Sequence, residues 1–176
     1  MRQQAPSLPA VSEAVEYYDI RGASEKELRC QMTENGCRWR DGKKYDSVTK
    51  WHVKWDYDHE QGPGFCSART FRATVDIVYR YPQWIDSDRA AAPLQERWSE
   101  YMQSLTRHEQ GHRDIAVKEV TDFLHAAEQL PAAATCEEID LSIKKLSRTF
   151  MARLNEEQRC YDTDTEHGVK QGARFP

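Results

Sequence analysis

Two stretches of the chain alternate apolar and polar residues, and everything after Pro93 drops that alternation for a repeat of about 3.6 residues. In KWHVKWDY (50–57), Trp51, Val53, Trp55 and Tyr57 point one way and His52, Lys54 and Asp56 the other. In TFRATVDIVYRY (70–81), Phe71, Ala73, Val75, Ile77, Tyr79 and Tyr81 oppose Arg72, Thr74, Asp76 and Arg80. Such alternation describes strands with one buried face and one wet face. The Gly- and Pro-rich stretch DHEQGPGFCS between them predicts a loop, so the two strands are expected to form an antiparallel pair. VEYYDI (15–20), short, β-branched and aromatic, reads as a further strand.

From Pro93 on, Leu94, Trp98, Tyr101, Leu105, His108, His112, Ile115 and Phe123 share one stripe of a helix that stops near Leu130-Pro131. A second helix opens at Thr135, where Thr-Cys-Glu-Glu is a capping box, and turns Ile139, Ile143, Leu146, Phe150 and Leu154 inward. Ser24-Glu25-Lys26-Glu27 is another such box and starts a short helix through Leu28 and Met32, ended by Asn35-Gly36. The tail YDTDTEHGVKQGARFP, with two glycines and a proline, is expected to leave the helix. These readings give an α+β fold, a small antiparallel sheet followed by two main helices. Residues 1–14 are expected to be a flexible N-terminal segment and 15–176 a single domain.

Composition narrows the functional classes. At 39% hydrophobic and 31% charged residues the chain is globular and well solvated. A net charge of −4 without single-sign blocks argues against a nucleic-acid surface. No apolar run approaches the roughly 20 residues that span a bilayer. Residues 1–14 lack the apolar core of a signal peptide and equally suit the start of a mature exported chain. Five cysteines, at 30, 37, 66, 136 and 160, form no CxxC, so a cysteine zinc ribbon is not expected. Free thiols of a cytosolic protein and disulfides of an exported one both remain open, and the odd count leaves at least one thiol unpaired within a monomer.

RHEQGHRDIA (107–116) carries the chemistry. Four residues apart on a helix, His108 and His112 lie about 40° apart around the axis and about 6 Å along it, so both imidazoles can reach one ion. Glu109 sits beside them, where a carboxylate can take a proton from water and later return it to a leaving amine. This is HExxH, two ligands and a general base on one rigid rod. The bland alternative is a pair of packed core histidines, which would need hydrogen-bond partners. A second tetrapeptide copy, His59-Glu60-Gln61-Gly62, is followed by Pro63 in place of histidine and reads as solvated loop.

A catalytic zinc site needs a third protein ligand. Glu119 lies about 10 Å further along the same helix, too far to share the ion, and reads as a helix-face carboxylate. Glu137 and Glu138 read as first-turn charges facing the helix dipole. In YDTDTEHG, His167 is the expected ligand, with Asp162 or Asp164 as the alternative; Gly168 lets the backbone turn there.

RHEQGHRDIA and the tail YDTDTEHGVKQGARFP, together with YYDIRGASEKELRCQM, WHVKWDY and PLQERWSEYMQSLTRHEQGH, resemble a bacterial domain-of-unknown-function family, number nine hundred and twenty-two, described as predicted secreted zinc-dependent proteases. The likeness runs from about Val15 onward. Its HExGH element falls on His108, Glu109, Gly111 and His112, and its YDxxTxHG element on Tyr161, Asp162, Thr165, His167 and Gly168. The resemblance implies a zincin-like domain, export to the periplasm or beyond, and a disulfide between Cys66 and Cys136, with Cys30, Cys37 and Cys160 as extras. It supplies no substrate.

The expectation is therefore a zinc-dependent metallopeptidase acting on a peptide or protein. His108, His112 and His167 would hold Zn2+, and Glu109 would serve as base and then acid. Tyr161 would donate to a developing oxyanion, or else merely pack at a helix end, and Asp162 would orient an imidazole. The competing readings are an exported zinc-binding module without hydrolysis and a zinc amidase acting on cell-wall material. A metal-free exported scaffold is a further reading, which intact His108, Glu109 and His112 oppose. An edge strand near residues 70–80 would receive an extended peptide.

Overall fold

The structure is a computed structural model that describes residues 7–39 and 41–176. In chain order these form β1 (Ala10–Ile20), α1 (Glu25–Asn35), β2 (Cys37–Arg38), β3 (Lys44–Tyr45), β4 (Val48–Gly62), β5 (Phe65–Trp84), α2 (Ala92–Glu128) and α3 (Cys136–Thr165). The alternation is realised as read: Phe71, Ala73, Val75, Ile77, Tyr79 and Tyr81 are all buried, while the intervening residues are not. The loop expected over 58–67 shrinks to Pro63-Gly64, because both strands keep pairing almost to the tip. Gly64 at φ 74° supplies the positive dihedral that a Pro-Gly turn demands at its second central residue. His59 and Glu60, expected in that loop, are therefore exposed strand residues.

The sheet has the order β1-β5-β4. Its pairing corrects the antiparallel expectation. Ser12 meets Asp76, Tyr79 donates to Glu13, and Ile85 N–H donates to the Ile20 carbonyl, so partners on β1 and β5 advance together and those strands run parallel. Beside the antiparallel β4–β5 hairpin this makes the sheet mixed. It also places β5 in the middle, so residues 70–80 are not an edge. β1 opens at Ala10, so 10–14, read as part of a flexible segment, are strand; residues 1–6 of that segment lie outside the described residues.

Both N-caps form, and Glu27 reaches back to Ala23 N–H in the first. Ser24 Oγ accepts from Glu27 N–H at 3.3 Å, and Thr135 Oγ1 accepts from Glu138 N–H at 3.3 Å while Glu138 reaches back to Thr135 N–H. At the other end α3 continues through Tyr161 to Thr165, further than the tail's composition suggests. It stops where Glu166, His167 and Gly168 all take positive φ.

The chain forms two compact units. The first comprises residues up to Ser12, Trp51–Asp76 and Asp114–Gln158. In it the Trp55 ring meets Phe123 at 5.2 Å and Phe150 at 6.2 Å, and Ile139, Ile143 and Leu154 are buried. Glu119, expected as a helix-face carboxylate, is buried and paired with Arg153 and Lys118. A disulfide joins Cys66 to Cys136, beside a bridge in which Cys66 and Ala133 exchange backbone hydrogen bonds. Cys30, Cys37 and Cys160 are not in a disulfide.

The second unit comprises Glu13–Lys50, Ile77–Arg113 and Arg159–Pro176. Tyr18, Ile20, Leu28, Met32 and Ile77 are buried in it. The end of the chain is anchored by Phe175, 5.4 Å from the Trp98 ring and 5.2 Å from that of Tyr101. Hairpin β2–β3 pairs Cys37 with Tyr45 and Arg38 with Lys44. Among the described residues no helix is long and apolar enough to cross a membrane.

The disulfide closes a separation of 70 residues, so it restricts the unfolded chain substantially. Replacing Cys66 and Cys136 together by serine is expected to lower unfolding free energy by about 2–4 kcal/mol, read as a drop in the urea midpoint.

Candidate metal centre

All the side chains described next belong to the second unit. One turn apart on α2, His108 and His112 are nearly buried, their side chains 4% and 11% exposed, with rings 4.9 Å apart. Nδ1 of His108 is 3.0 Å from Gln171 Oε1, an acceptor only, so the ring donates there and keeps its lone pair on Nε2. That Nε2 lies 3.3 Å from Asp162 Oδ1. Nε2 of His112 lies 3.1 Å from the same oxygen, and Nδ1 of His167 3.3 Å. Two helices and the turn after α3 thus bring three imidazoles to one carboxylate.

Among the described residues, His108, His112 and Asp162 form a group whose donor atoms all lie within 4.8 Å of one another. His167 stands outside that trio and meets it at Asp162. Ligands at about 2.0–2.1 Å from a tetrahedral ion are about 3.3 Å from each other. The histidine-to-Asp162 separations match that edge, so two inward nitrogens and a carboxylate oxygen are a donor set suited to zinc.

Tyr161 locks this arrangement from behind. Its ring stacks on His108 at 5.0 Å and 10°, and meets His112 edge-on at 5.0 Å. Its hydroxyl donates to the His108 carbonyl at 3.2 Å and accepts from Gln171 Nε2 at 3.1 Å. With the His108–Gln171 bond this closes a three-residue ring of hydrogen bonds. Gly111 makes room for it: a Cβ there would lie 2.1 Å from the phenol oxygen. Gly168 does the same for His108, since a Cβ at φ 84° would come within 2.9 Å of the imidazole. Thr165 Oγ1 donates to the Tyr161 carbonyl at 2.7 Å and accepts from Gly168 N–H at 3.2 Å, fixing the turn.

Glu109 is buried on the side of α2 that faces the start of β4. One carboxylate oxygen accepts from the Ser47 hydroxyl and the other from Thr49 Oγ1 at 2.5 Å. Just before them, Asp46 takes both guanidinium nitrogens of Arg29 and the Tyr101 hydroxyl at 2.6 Å, while Tyr18 donates to its carbonyl at 2.8 Å. Burial and the Asp46 charge push the Tyr101 and Tyr18 phenols far up, so both stay neutral donors.

Residues 15–168 match the family described as "Bacterial protein of unknown function (DUF922)". The chain belongs to the DUF922 family. No curated protein and no solved structure matches it.

In this DUF922 chain the structure brings His108, His112, Tyr161, Asp162 and His167 together, while Glu109, next to His108 on α2, has its carboxylate on Ser47 and Thr49, and Asp164 is exposed and outside the trio. Sequence reading passed over Gln171, Ser47 and Thr49. Gln171 lies in a polar tail with no pattern around it, and Ser47 and Thr49 precede the alternation that marks β4. Burial works against the charged form of Asp162, but the imidazoles of His108, His112 and His167 around it outweigh that effect and hold the carboxyl well below its usual range. Its folded value is below the unfolded one, so its contribution to stability is present at neutral pH and is lost only as pH falls into strong acid.

Gly111→Ala forces the Tyr161 ring off its seat. The expected cost is about 1–3 kcal/mol of stability, as for other overpacked sites, read from the urea midpoint. Unchanged stability would mean that the ring does not occupy this notch.

Proposed function

We propose that this chain is a zinc-dependent metallopeptidase, an exported enzyme of zincin-like construction acting on peptide or protein substrates. The observation that carries the proposal is the pairing of a donor trio, His108, His112 and Asp162, with a buried carboxylate on the same helix turn. Asp162, the alternative weighed from sequence, is taken here as third ligand because its oxygen has the spacing to both α2 imidazoles that one small ion requires. When bound, zinc would supply Lewis acidity, acidifying a water molecule and polarising a carbonyl.

The chain's own groups do the rest. Glu109 accepts the proton of the attacking water and delivers it to the departing amine. The Ser47 and Thr49 hydroxyls hold that carboxylate in one orientation and leave each oxygen a further lone pair for the proton. Gln171 sets the tautomer of His108, and Tyr161 braces both α2 imidazoles. With its hydroxyl spent on the His108 carbonyl, Tyr161 acts as a brace and not as an oxyanion donor. Disulfide Cys66–Cys136 suits an oxidising compartment and supports export.

A second reading, metal held without hydrolysis, draws on the same two hydroxyl partners of Glu109, which would equally retire a carboxylate from proton transfer. One variant separates the two. Glu109→Gln is expected to keep zinc within about twofold of the parent and to reduce cleavage of a broad peptide library by roughly 100-fold or more. Cleavage at the parent's rate would remove Glu109 as base. Gln171→Leu should weaken zinc binding by about 10–100-fold, the usual cost of losing an imidazole's outer partner, measured by competition with a chromophoric chelator. In mild acid, zinc affinity should fall as the imidazoles protonate.

A further inference from the structure

We infer that Cys66, Cys136 and His59 form a second metal site, which holds a thiophilic divalent ion such as zinc whenever the two sulfurs are not joined to each other. All three residues belong to the first unit, and the inference stands independently of the α2 histidines. A ring nitrogen of His59 and the two sulfurs lie within 4.8 Å of one another. Two thiolates and an imidazole are a donor set that selects zinc, with water completing the tetrahedron. His59 is also the histidine of the second HExG copy, for which the α2 site has no use.

Each donor is held in place by something other than the S–S bond. Cys66 is wholly buried, and its backbone exchanges hydrogen bonds with Ala133 at 2.8 and 2.9 Å. Cys136 is the first residue of α3, directly after the cap at Thr135. There the unpaired N–H groups of the first turn favour a thiolate over a thiol. His59 Nε2 is 2.8 Å from Asp140 Oδ1, and Tyr57 donates to that same oxygen at 2.8 Å. The Tyr57 ring meets the imidazole edge-on at 5.5 Å. Asp140, one helical turn beyond Cys136, is therefore a positioning residue, a carboxylate that orients a ligand imidazole. A tetrahedral dithiolate needs its sulfurs about 3.8 Å apart. With the Cα atoms 5.1 Å apart, rotation of the two cysteines about χ1 provides that separation.

The disulfide and the metal site exclude each other, because the same two sulfurs make both. Any disulfide protein is synthesised as the dithiol, so the metal-binding form comes first. Binding forms two metal–sulfur bonds and releases two thiol protons to water, with no change of oxidation state. The ion then ties Cys66 to the start of α3 across the same separation of 70 residues that the disulfide spans.

The test uses the full chain and cobalt(II), whose bonds to thiolate sulfur give a charge-transfer band in the near ultraviolet. A trialkylphosphine and water first convert the disulfide to two thiols, the phosphine becoming its oxide. The reduced parent is expected to show the band at one cobalt per chain, and the untreated parent to lack it. No sulfur belongs to the trio of His108, His112 and Asp162, so cobalt bound there leaves this readout silent. Asp140→Ala should weaken cobalt binding about 10–100-fold, and His59→Ala by more than that, since it removes a ligand itself. His59 and Asp140 are exposed, so neither change disturbs the core. Parental affinity in His59→Ala overturns the inference. A band that survives replacement of Cys66 and Cys136 together by serine belongs to Cys30, Cys37 or Cys160 and overturns it too. So does a reduced parent without the band, or a band of equal strength before reduction.

Discussion

One oxygen of Asp162 draws nitrogens from three histidines to within 3.3 Å, and the site is organised around that carboxylate. Two of the imidazoles come from consecutive turns of α2, and the carboxylate comes from the last turns of α3. Bringing them together fixes the C-terminal end of α3 against the middle of α2. Tyr161, one residue before Asp162, fits the notch at Gly111, so the contact that seats the phenol also aims the carboxylate. Packing and chemistry share the same few atoms, and neither can be altered alone.

Much of this was legible because helices and strands announce themselves through periodicity. The alternation over 70–81 identified the buried face of β5 residue by residue, and both capping boxes located helix starts that the backbone confirms. The i, i+4 histidines could be assigned to one helix face from spacing alone. What alternation does not encode is which strand lies beside which, or in what direction. β1 joins β5 in parallel, across a connection containing α1, two short strands and β4, so no local turn records the pairing. The extension of α3 was hidden because Asp and Thr favour turns when read singly, whereas here they complete a helix already anchored by Leu154 and Tyr161.

Within the site, the residues found from sequence were those with a chemical signature, and the ones missed act through a single hydrogen bond. Gln171 is an ordinary polar residue until the fold puts its amide between an imidazole and a phenol. Ser47 and Thr49 are ordinary hydroxyls until β4 sets them against the one buried carboxylate of the HExxH turn. Asp46, buttressed by Arg29, Tyr101 and Tyr18, gives that strand start its rigidity. The second HExG copy supplies the contrast: His59 and Glu60 lie on an exposed strand, bonded to Asp140 and Arg69, with no partner one helical turn away.

The notch at Gly111 reaches beyond this one molecule. A methyl group there and a phenol at position 161 cannot occupy the same space, since they would overlap at 2.1 Å. The constraint runs one way: while tyrosine stays at 161, position 111 must stay glycine, and a side chain gained at 111 has to follow the loss of that ring. Substitution at 111 should therefore be found only where 161, far away along the chain, has already changed.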